Sequence, residues 1–442
     1  MADSIFHQDF KLMPWWWEWW HPSSELSQDP PTKTDVLVIG AGYGGLSTAL
    51  EIARSGGDVT VLERGNFGIG ASTLNGGAVS GGTSLAKSFS GKSSKPEELM
   101  QKELSAMLHD ASESLGLVET LIQREGIDCH WRLSGRFIGA FTPGHYAEQM
   151  KKVSTYSDAA GAGARMVPRE LQSEEIASNY YHGGMVVERS GQLHPALYYG
   201  GLLKAANRAG ARLCANTDAQ RIERKSSGGF TIYTNKGQIE ANEIVIATNG
   251  YTGDVTPDLK RRLVPVASHI IATEELPEDL CKSLIPQGRT ISDSKRVLCY
   301  YRLSPDNKRV IFGGRARFTQ VPPEVSAPIL YQYMTDRWPQ LKGTKVTHAW
   351  TGNVAFAFDY LPHMGQAHGM HYLMACNGSG VAMMSYLGYQ TARKILEGSN
   401  KPMNAFDSRE FSTIPFYNGN PWFLPAVGAW YRTRDWWDRL KA

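Results

Sequence analysis

Apolar and polar positions recur with changing period along the chain, and each change marks an element. Asp35–Ile39 predicts a short strand. Leu46, Ala49, Leu50 and Ala53 then recur at helical spacing, which predicts a helix over Gly44–Ser55, stopped by Gly56-Gly57. Val59–Leu62 is the next strand. Helical patterns follow around 97–124 and 144–161, and again over Pro195–Ala209, ended by Gly210. The stretch 211–250 alternates like a small sheet. Residues 260–350 read as strand-rich, with "VLCYYRLSP" and "RVIFGGRARF" separated by Asp306-Asn307-Lys308 as a hairpin. Ser379–Glu397 predicts a last long helix before Gly398, and residues 22–34, rich in Pro and Ser, predict an irregular connector.

Composition narrows the class. The 442 residues are 42% apolar and 20% charged, which is globular and long enough for two or three domains. Lys plus Arg total 46 against 43 for Asp plus Glu, and a net charge of +3 gives no support for a nucleic-acid surface. The five cysteines (129, 214, 281, 299, 376) are odd in number and never spaced CxxC. That argues against a disulfide framework or a zinc site and fits a reducing, cytoplasmic compartment. The N-terminus lacks the cationic start of a signal peptide, and no apolar run is long enough to predict a membrane span.

The chemistry starts at the first strand–helix junction. Gly40, Gly42 and Gly45 form GxGxxG, and Glu63 closes the second strand. The first glycine permits the tight turn, the second lets backbone approach a pyrophosphate, and the third lets helix pack on strand. The helix N-terminus offers free N–H groups to phosphates, and the Glu63 carboxylate can accept from ribose hydroxyls. The motif alone does not separate NAD from FAD. The next segment, "RGNFGIGASTLNGGAVSGG", is a second Gly/Ser-rich loop suited to an extended cofactor, where an NAD site more often continues into a further βα unit. "EIVIATNGYTG" and "MHYLMACNGSGVAMM" supply two more small-residue turns after strands.

Together these segments resemble the FAD-dependent amine and amino-acid oxidases that include D-amino-acid oxidase, glycine oxidase and monomeric sarcosine oxidase. The chain looks most like their γ-glutamylputrescine oxidase branch. The carriers include the Trp-rich start, "GAGYGGLSTAL", "GQLHPALYYGGLLKAA", "WTGNVAFAFDYLPHMG" and "NGSGVAMMSYLGYQTARKILEG". The resemblance implies noncovalent FAD. It puts Gly40, Gly42, Gly45, Glu63 and Arg64 on the ADP half, and Ala71, Ser72, Asn75, Gly76 and Gly77 along the pyrophosphate and flavin. Ala219 falls near adenine, Thr248 and Gly250 on the turn after a strand, and Gly352, Gly378, Gly380 and Val381 near the flavin ring. Three departures bear on the reaction. The segment where glycine oxidase and its kin carry a carboxylate-binding Arg has Asn353 and Val354 here. Ile311 aligns with the Lys that sarcosine oxidase places near flavin N5, which leaves O2 or another acceptor to take the electrons. Ser379 stands where the branch shows a His. Cys376 lies near the loop through which some relatives attach FAD covalently, but without a matching motif.

The resemblance also points to the hairpin over residues 299–318 as the wall facing the flavin. Tyr301 and Arg315 align with substrate-facing positions there, and Trp350 reads either as a wall of the pocket or, the more common outcome, as a core Trp at a strand end. Tyr300 and Tyr301 must point to opposite faces of a strand, one into the core and one into the site. Arg315 reads equally as a carboxylate anchor and as an ordinary salt-bridge partner. His194 and His269 read as structural, and no spacing of ligands predicts a metal. Five of the twelve tryptophans lie in "PWWWEWW" and four more at 422–437. Packing of these ends on each other and on the FAD domain is the favoured reading, with capping of the pocket or an interfacial belt as alternatives.

The expected fold is α/β (α+β overall): a Rossmann-like FAD-binding domain of glutathione-reductase type plus a D-amino-acid-oxidase-like antiparallel substrate domain. The expected division is a Trp-rich arm over 1–34, an FAD domain over 35–90, 165–257 and 350–400, a substrate domain over 91–164 and 258–349, and a tail over 401–442. The expected reaction is oxidation of a C–N bond in a γ-glutamyl-amine-like or other carboxylated amine. Sarcosine, iminodiacetate and pipecolate types are alternatives, and self-association is compatible with it. A flavin monooxygenase would consume NAD(P)H, and a non-catalytic FAD-binding assembly protein would bind FAD without being reduced by any amine.

Overall fold

A computed structural model describes residues 4–81, 97–159, 161 and 163–442. The expected boundary at 90/91 lies outside the described residues. Two large sheets dominate. In the first, the strand Lys33–Ile39 lies parallel between Val59–Leu62 and Gly237–Ile246, with Arg212–Cys214 beyond Val59–Leu62 and Met370–Met374 parallel to Gly237–Ile246. Leu37 and Val38 are fully buried because both faces are covered. One face takes the helices Tyr43–Arg54, Pro195–Arg208 and Gly380–Leu396. The other takes a small antiparallel layer of Ala219–Arg224, Phe230–Thr234 and the start of Gly237–Ile246. Helices Tyr43–Arg54 and Gly380–Leu396 approach at backbone distance: a Cβ on Gly388 would sit 2.2 Å from the Gly44 carbonyl oxygen, and Thr48 Oγ1 donates to the Gly388 carbonyl at 3.0 Å.

The second sheet has nine strands, in the order 6–11, 346–356, 264–273, 310–314, 299–303, 290–293, 136–139, 184–187 and 164–167. Its alternation separates two faces. Phe137, Ile291, Tyr301, Phe312 and Ile271 face a core closed by the helix Pro323–Arg337 and Trp338. Ser268, Tyr300 and Ile311 face the first sheet, across a cavity. The strands Ala164–Val167 and Gly184–Val187 belong here, so the stretch 165–257, expected wholly in the FAD domain, contributes to both sheets. Pairing of Gly184–Val187 with Arg136–Gly139 draws it across.

Among the described residues no ring contact joins the two Trp-rich ends, and the N-terminal one packs on the FAD-domain loop 73–75. The strand Phe6–Lys11 pairs with Val346–Phe356, and a turn of 3-10 helix at Trp15–Glu18 then buries Trp15 and Trp16. At the other end, the helix Leu424–Leu440 leaves Trp430, Trp436 and Trp437 exposed. All five cysteines are buried and free, and no described helix is long and apolar enough to cross a membrane.

Candidate flavin and substrate site

The cavity between the sheets measures about 480 Å³. At one end stand Glu63, Arg64 and Thr217–Ala219; in the middle, Gly40–Gly44, Ala71, Ser72 and Thr248–Tyr251; at the other end, Tyr300, Ile311, Arg315, Gly352 and Gly378.

The glycine turn has the geometry that a close-approaching ligand needs. Gly40 has φ +106°, and a Cβ there would sit 2.9 Å from the Ala247 carbonyl oxygen. A Cβ on Gly45 would lie 1.9 Å from the Gly40 carbonyl oxygen, so only glycine lets this helix meet its strand. Gly45 serves that packing and does not line the cavity. Glu63 accepts from the N–H groups of Ala41 and Gly65, both at 3.2 Å, although burial raises its pKa. Ser72 Oγ accepts from the Tyr43 N–H at 3.1 Å, joining the second loop to the helix N-terminus.

That second loop is clasped from behind. Asn75 donates to the carbonyls of Ala71 and Ser72 and accepts from the Gly77 N–H at 2.9 Å. Three indoles hold the outside: Trp16 donates to the Asn75 carbonyl (2.9 Å), Trp17 to Thr73 Oγ1 (3.0 Å) and Trp350 to the Leu74 carbonyl (3.0 Å). Trp350 therefore braces the loop from within the core and does not line the cavity, which answers to the core reading and not to the pocket-wall one. Arg302 donates to the carbonyls of Gly77 (3.2 Å) and Leu193 (2.8 Å), and burial lowers its pKa to about 9. Gly77 itself, at φ +73°, would bring a Cβ to 2.3 Å from the Leu193 carbonyl oxygen.

The roof also corrects the choice between tyrosines. Tyr301 stacks on Phe312 at 4.9 Å and shares a 2.6 Å hydrogen bond with the Tyr181 hydroxyl, in the core under the sheet. Both tyrosines line the cavity, but it is the Tyr300 ring that stands on that side, against Gly76 and Gly313. The Tyr300 hydroxyl bonds Ser268 Oγ at 2.8 Å, and burial lifts its pKa to about 12. The register explains the pair: Tyr300 lies opposite Gly313, and Tyr301 opposite Phe312. A Cβ on Gly313 would come within 2.4 Å of the Tyr300 ring, and one on Gly76 within 2.8 Å. The Gly313-Gly314 pair was the sequence signal for where that ring lies.

Arg315 lines the cavity. Its guanidinium lies 4.9 Å from the Phe356 ring centroid and 5.9 Å from that of Phe318, and burial lowers its pKa. Among the described residues no carboxylate pairs with it; the charged-form neighbours it feels are tyrosines 360, 431 and 300. Asn353, Val354 and Cys376 also line the cavity. Sequence reasoning missed Ser268, Tyr251 and Arg136, which donates to Ser292 Oγ at 3.0 Å. His194 caps the helix Pro195–Arg208 and His269 bonds Thr351 Oγ1 at 2.7 Å, both away from the cavity. No group of three His, Cys, Asp or Glu among the described residues could hold a metal ion.

A strip of glycine and small-residue turns, a helix N-terminus and a carboxylate suit an extended dinucleotide with a flat ring under Tyr300. Comparison with known proteins agrees. The profile of the DAO family, described as FAD dependent oxidoreductase, matches residues 35–394. Gamma-glutamylputrescine oxidoreductase of Escherichia coli (strain K12) is 30% identical over 407 residues, 91% of this chain and 92% of that protein. The probable oxidoreductase OrdL of Rhizobium meliloti (strain 1021) is 31% identical over 422 residues. Among solved structures, glycine oxidase from Geobacillus kaustophilus superposes with a TM-score of 0.70 at 21% identity, covering 87% of this chain and 99% of that one. L-proline dehydrogenase from P. horikoshii gives 0.69 at 18% identity, covering 84% of this chain and 96% of that one. The fold is thus the expected α/β architecture shared with these proteins. The chain belongs to the DAO family of FAD-dependent oxidoreductases, and FAD is its cofactor.

Proposed function

We propose that the protein oxidises the C–N bond of a carboxylated amine of γ-glutamyl-amine type, releasing an imine that hydrolyses in water. The observation that carries this reading is Arg315, a half-buried guanidinium on the cavity wall that pairs with no carboxylate among the described residues. A substrate carboxylate would relieve that uncompensated charge. The names of the E. coli relative and of glycine oxidase support an amine or amino-acid substrate.

The glycine turn 40–45, Glu63 and Arg64 would hold the ADP half noncovalently, with Ala219 at adenine. Ala71, Ser72, Asn75, Gly76, Gly77, Thr248, Gly250, Gly352, Gly378, Gly380 and Val381 would hold the pyrophosphate and ring. Bound there, FAD supplies the two-electron sink for the hydride leaving the amine's C–H. The chain's own residues do the rest. Ile311, Val354 and Phe356 present an apolar surface that favours the neutral, reactive amine over its ammonium form. Tyr300, kept protonated by burial, offers a hydrogen bond with Ser268 behind it. Arg315 fixes the far end, so the reacting carbon is oriented before reaction. Ile311 leaves no cation where sarcosine oxidase has its lysine, which favours an acceptor other than O2.

Anaerobic mixing of the holoenzyme with a panel of amines and N-alkyl amino acids tests the reaction. Bleaching of the flavin absorbance by a carboxylated amine, and not by its uncharged counterpart, is expected. Equal bleaching by both overturns the assignment of Arg315. Readmitted air should restore the colour slowly; rapid return would make O2 the acceptor.

A further inference from the structure

The helix Leu424–Leu440 lies beyond the residues the family profile matches, and its inner face is fully used. Asp435 accepts from the N–H groups of Arg296 (3.1 Å) and Val297 (2.9 Å), just before the strand that carries Tyr300. Asp438 accepts from the Arg296 guanidinium at 2.5 Å, and Arg439 donates to the carbonyls of Phe141 (2.7 Å) and Tyr180 (3.1 Å). Leu424 and Gly428 are buried, and a Cβ on Gly428 would come within 2.7 Å of the Phe318 ring. Both acids of the helix are thus paired with the body of the protein.

The outer face inverts the usual pattern of a surface helix. Trp430, Trp436, Trp437 and Leu440 are each 49% to 62% exposed. With the exposed Ala426, Ala429 and Thr433 they recur at helical spacing, as one stripe roughly 120° wide and about 20 Å long. The same spacing sets Arg434 and Lys441 along one border of the stripe and Arg432 along the other. The Arg434 guanidinium stands 5.6 Å from the Trp430 ring centroid, and the Lys441 ammonium 4.9 Å from that of Trp437. Beside the helix start, where Tyr417 packs on Phe423 at 5.8 Å, Trp422 and Phe416 are more exposed still.

We propose that this face is an interfacial docking surface, which lays the helix flat on a bilayer presenting anionic headgroups. An indole has an apolar body and one polar N–H, and it settles at the level of the headgroups. An apolar stripe bordered on both sides by cations is the form that lies in that plane without crossing it. A second copy of the chain fits this face less well. A two-fold contact would set the stripe against itself and bring the bordering cations of both helices together, and the helix has no outward acid to answer them. A peptide partner calls for a groove, whereas this face is a convex row of indoles.

The test uses FAD-loaded protein and vesicles of equal parts phosphatidylcholine and phosphatidylglycerol, with the bound fraction read from flavin absorbance after sedimentation. The parent should bind these vesicles about tenfold or more tightly than phosphatidylcholine alone, and less as salt is raised. Trp430→Ser/Trp436→Ser/Trp437→Ser should weaken that binding about tenfold or more, and Arg434→Gln/Lys441→Gln likewise, with the flavin spectrum unchanged in both. Brominated phosphatidylcholine in the mixed vesicles should quench part of the parent's tryptophan fluorescence, a readout that needs no variant. Absence of binding by the parent overturns the proposal. So does equal binding by the tryptophan variant, which would make the attachment one of charge alone, and equal binding by the cation variant, which would remove the anionic headgroup. A parent that ignores vesicles but dimerises in sedimentation equilibrium, with the tryptophan variant monomeric, makes the stripe a self-association surface and equally overturns it.

Discussion

At the scale of single residues, adjacent tyrosines divide the work of one strand. Tyr300→Phe removes the bond to Ser268 at the cavity and is expected to lower kcat/KM about three- to tenfold without loss of FAD. Tyr301→Phe removes the bond to Tyr181 in the core and is expected to cost about 1 kcal/mol of stability while kcat/KM stays the same. Steady-state kinetics and thermal melts on the two variants decide it; a kinetic effect confined to Tyr301→Phe would reverse the assignment. Arg315→Ala should raise KM for a carboxylated substrate about tenfold or more with FAD retained, and an unchanged KM would remove Arg315 from the pocket. The cofactor turns were legible in the sequence because each glycine answers a local demand: a positive φ at Gly40, a close approach at Gly45. The substrate side was less so. Alternation says that Tyr300 and Tyr301 face opposite ways, but not which way, and only the cross-strand partner, Gly313 against Phe312, resolves it.

At the scale of elements, the N-terminal arm and the strand Val346–Phe356 act together on one loop. Trp16 and Trp350 each donate to a carbonyl of residues 74–75 from the far side of the cofactor cleft. The double variant Trp16→Phe/Trp350→Phe keeps aromatic bulk but leaves two half-buried carbonyls without their donors. It is expected to weaken FAD about tenfold or more, measured by fluorescence titration of the apoprotein. Unchanged affinity would mean the loop holds its shape without the clasp. The elements that the hydrophobic pattern revealed are those with one dry face, such as Tyr43–Arg54 and Gly380–Leu396. Three escaped it. Phe6–Lys11 is an edge strand, half-exposed, with no sustained alternation. Pro323–Arg337 carries Pro328 inside it and buries polar Ser326 and Thr335 beside Leu330 and Met334. In Leu424–Leu440 the tryptophans point outward and an aspartate points in, so its buried stripe of Leu424, Gly428 and Asp435 does not read as apolar.

At the scale of the whole molecule, the two sheets enclose histidines as neutral groups, and this couples the fold to pH. Burial depresses the pKa of His194 to about 3, helped by the Arg302 charge, and that of His269 to about 4. Both have fully buried side chains against an ordinary value of 6.5. The unfolded chain therefore binds more protons than the folded one below pH 6.5. Each histidine contributes stability that is fully present above pH 6.5 and is lost as pH falls toward its folded value, by at most about 1.4 kcal/mol per pH unit. His145, His182 and His348 are lowered in the same direction by burial. Between pH 6.5 and 5, above the range in which most carboxylates titrate, Tm measured with excess FAD should fall steadily. His194→Asn can still cap the helix Pro195–Arg208 by accepting from the Leu197 N–H, as the imidazole does at 3.2 Å. It has no proton to gain, so its Tm should fall less steeply over that window. A slope equal to that of the parent would mean His194 is already charged in the fold, and that Arg302 beside it has a compensating anion.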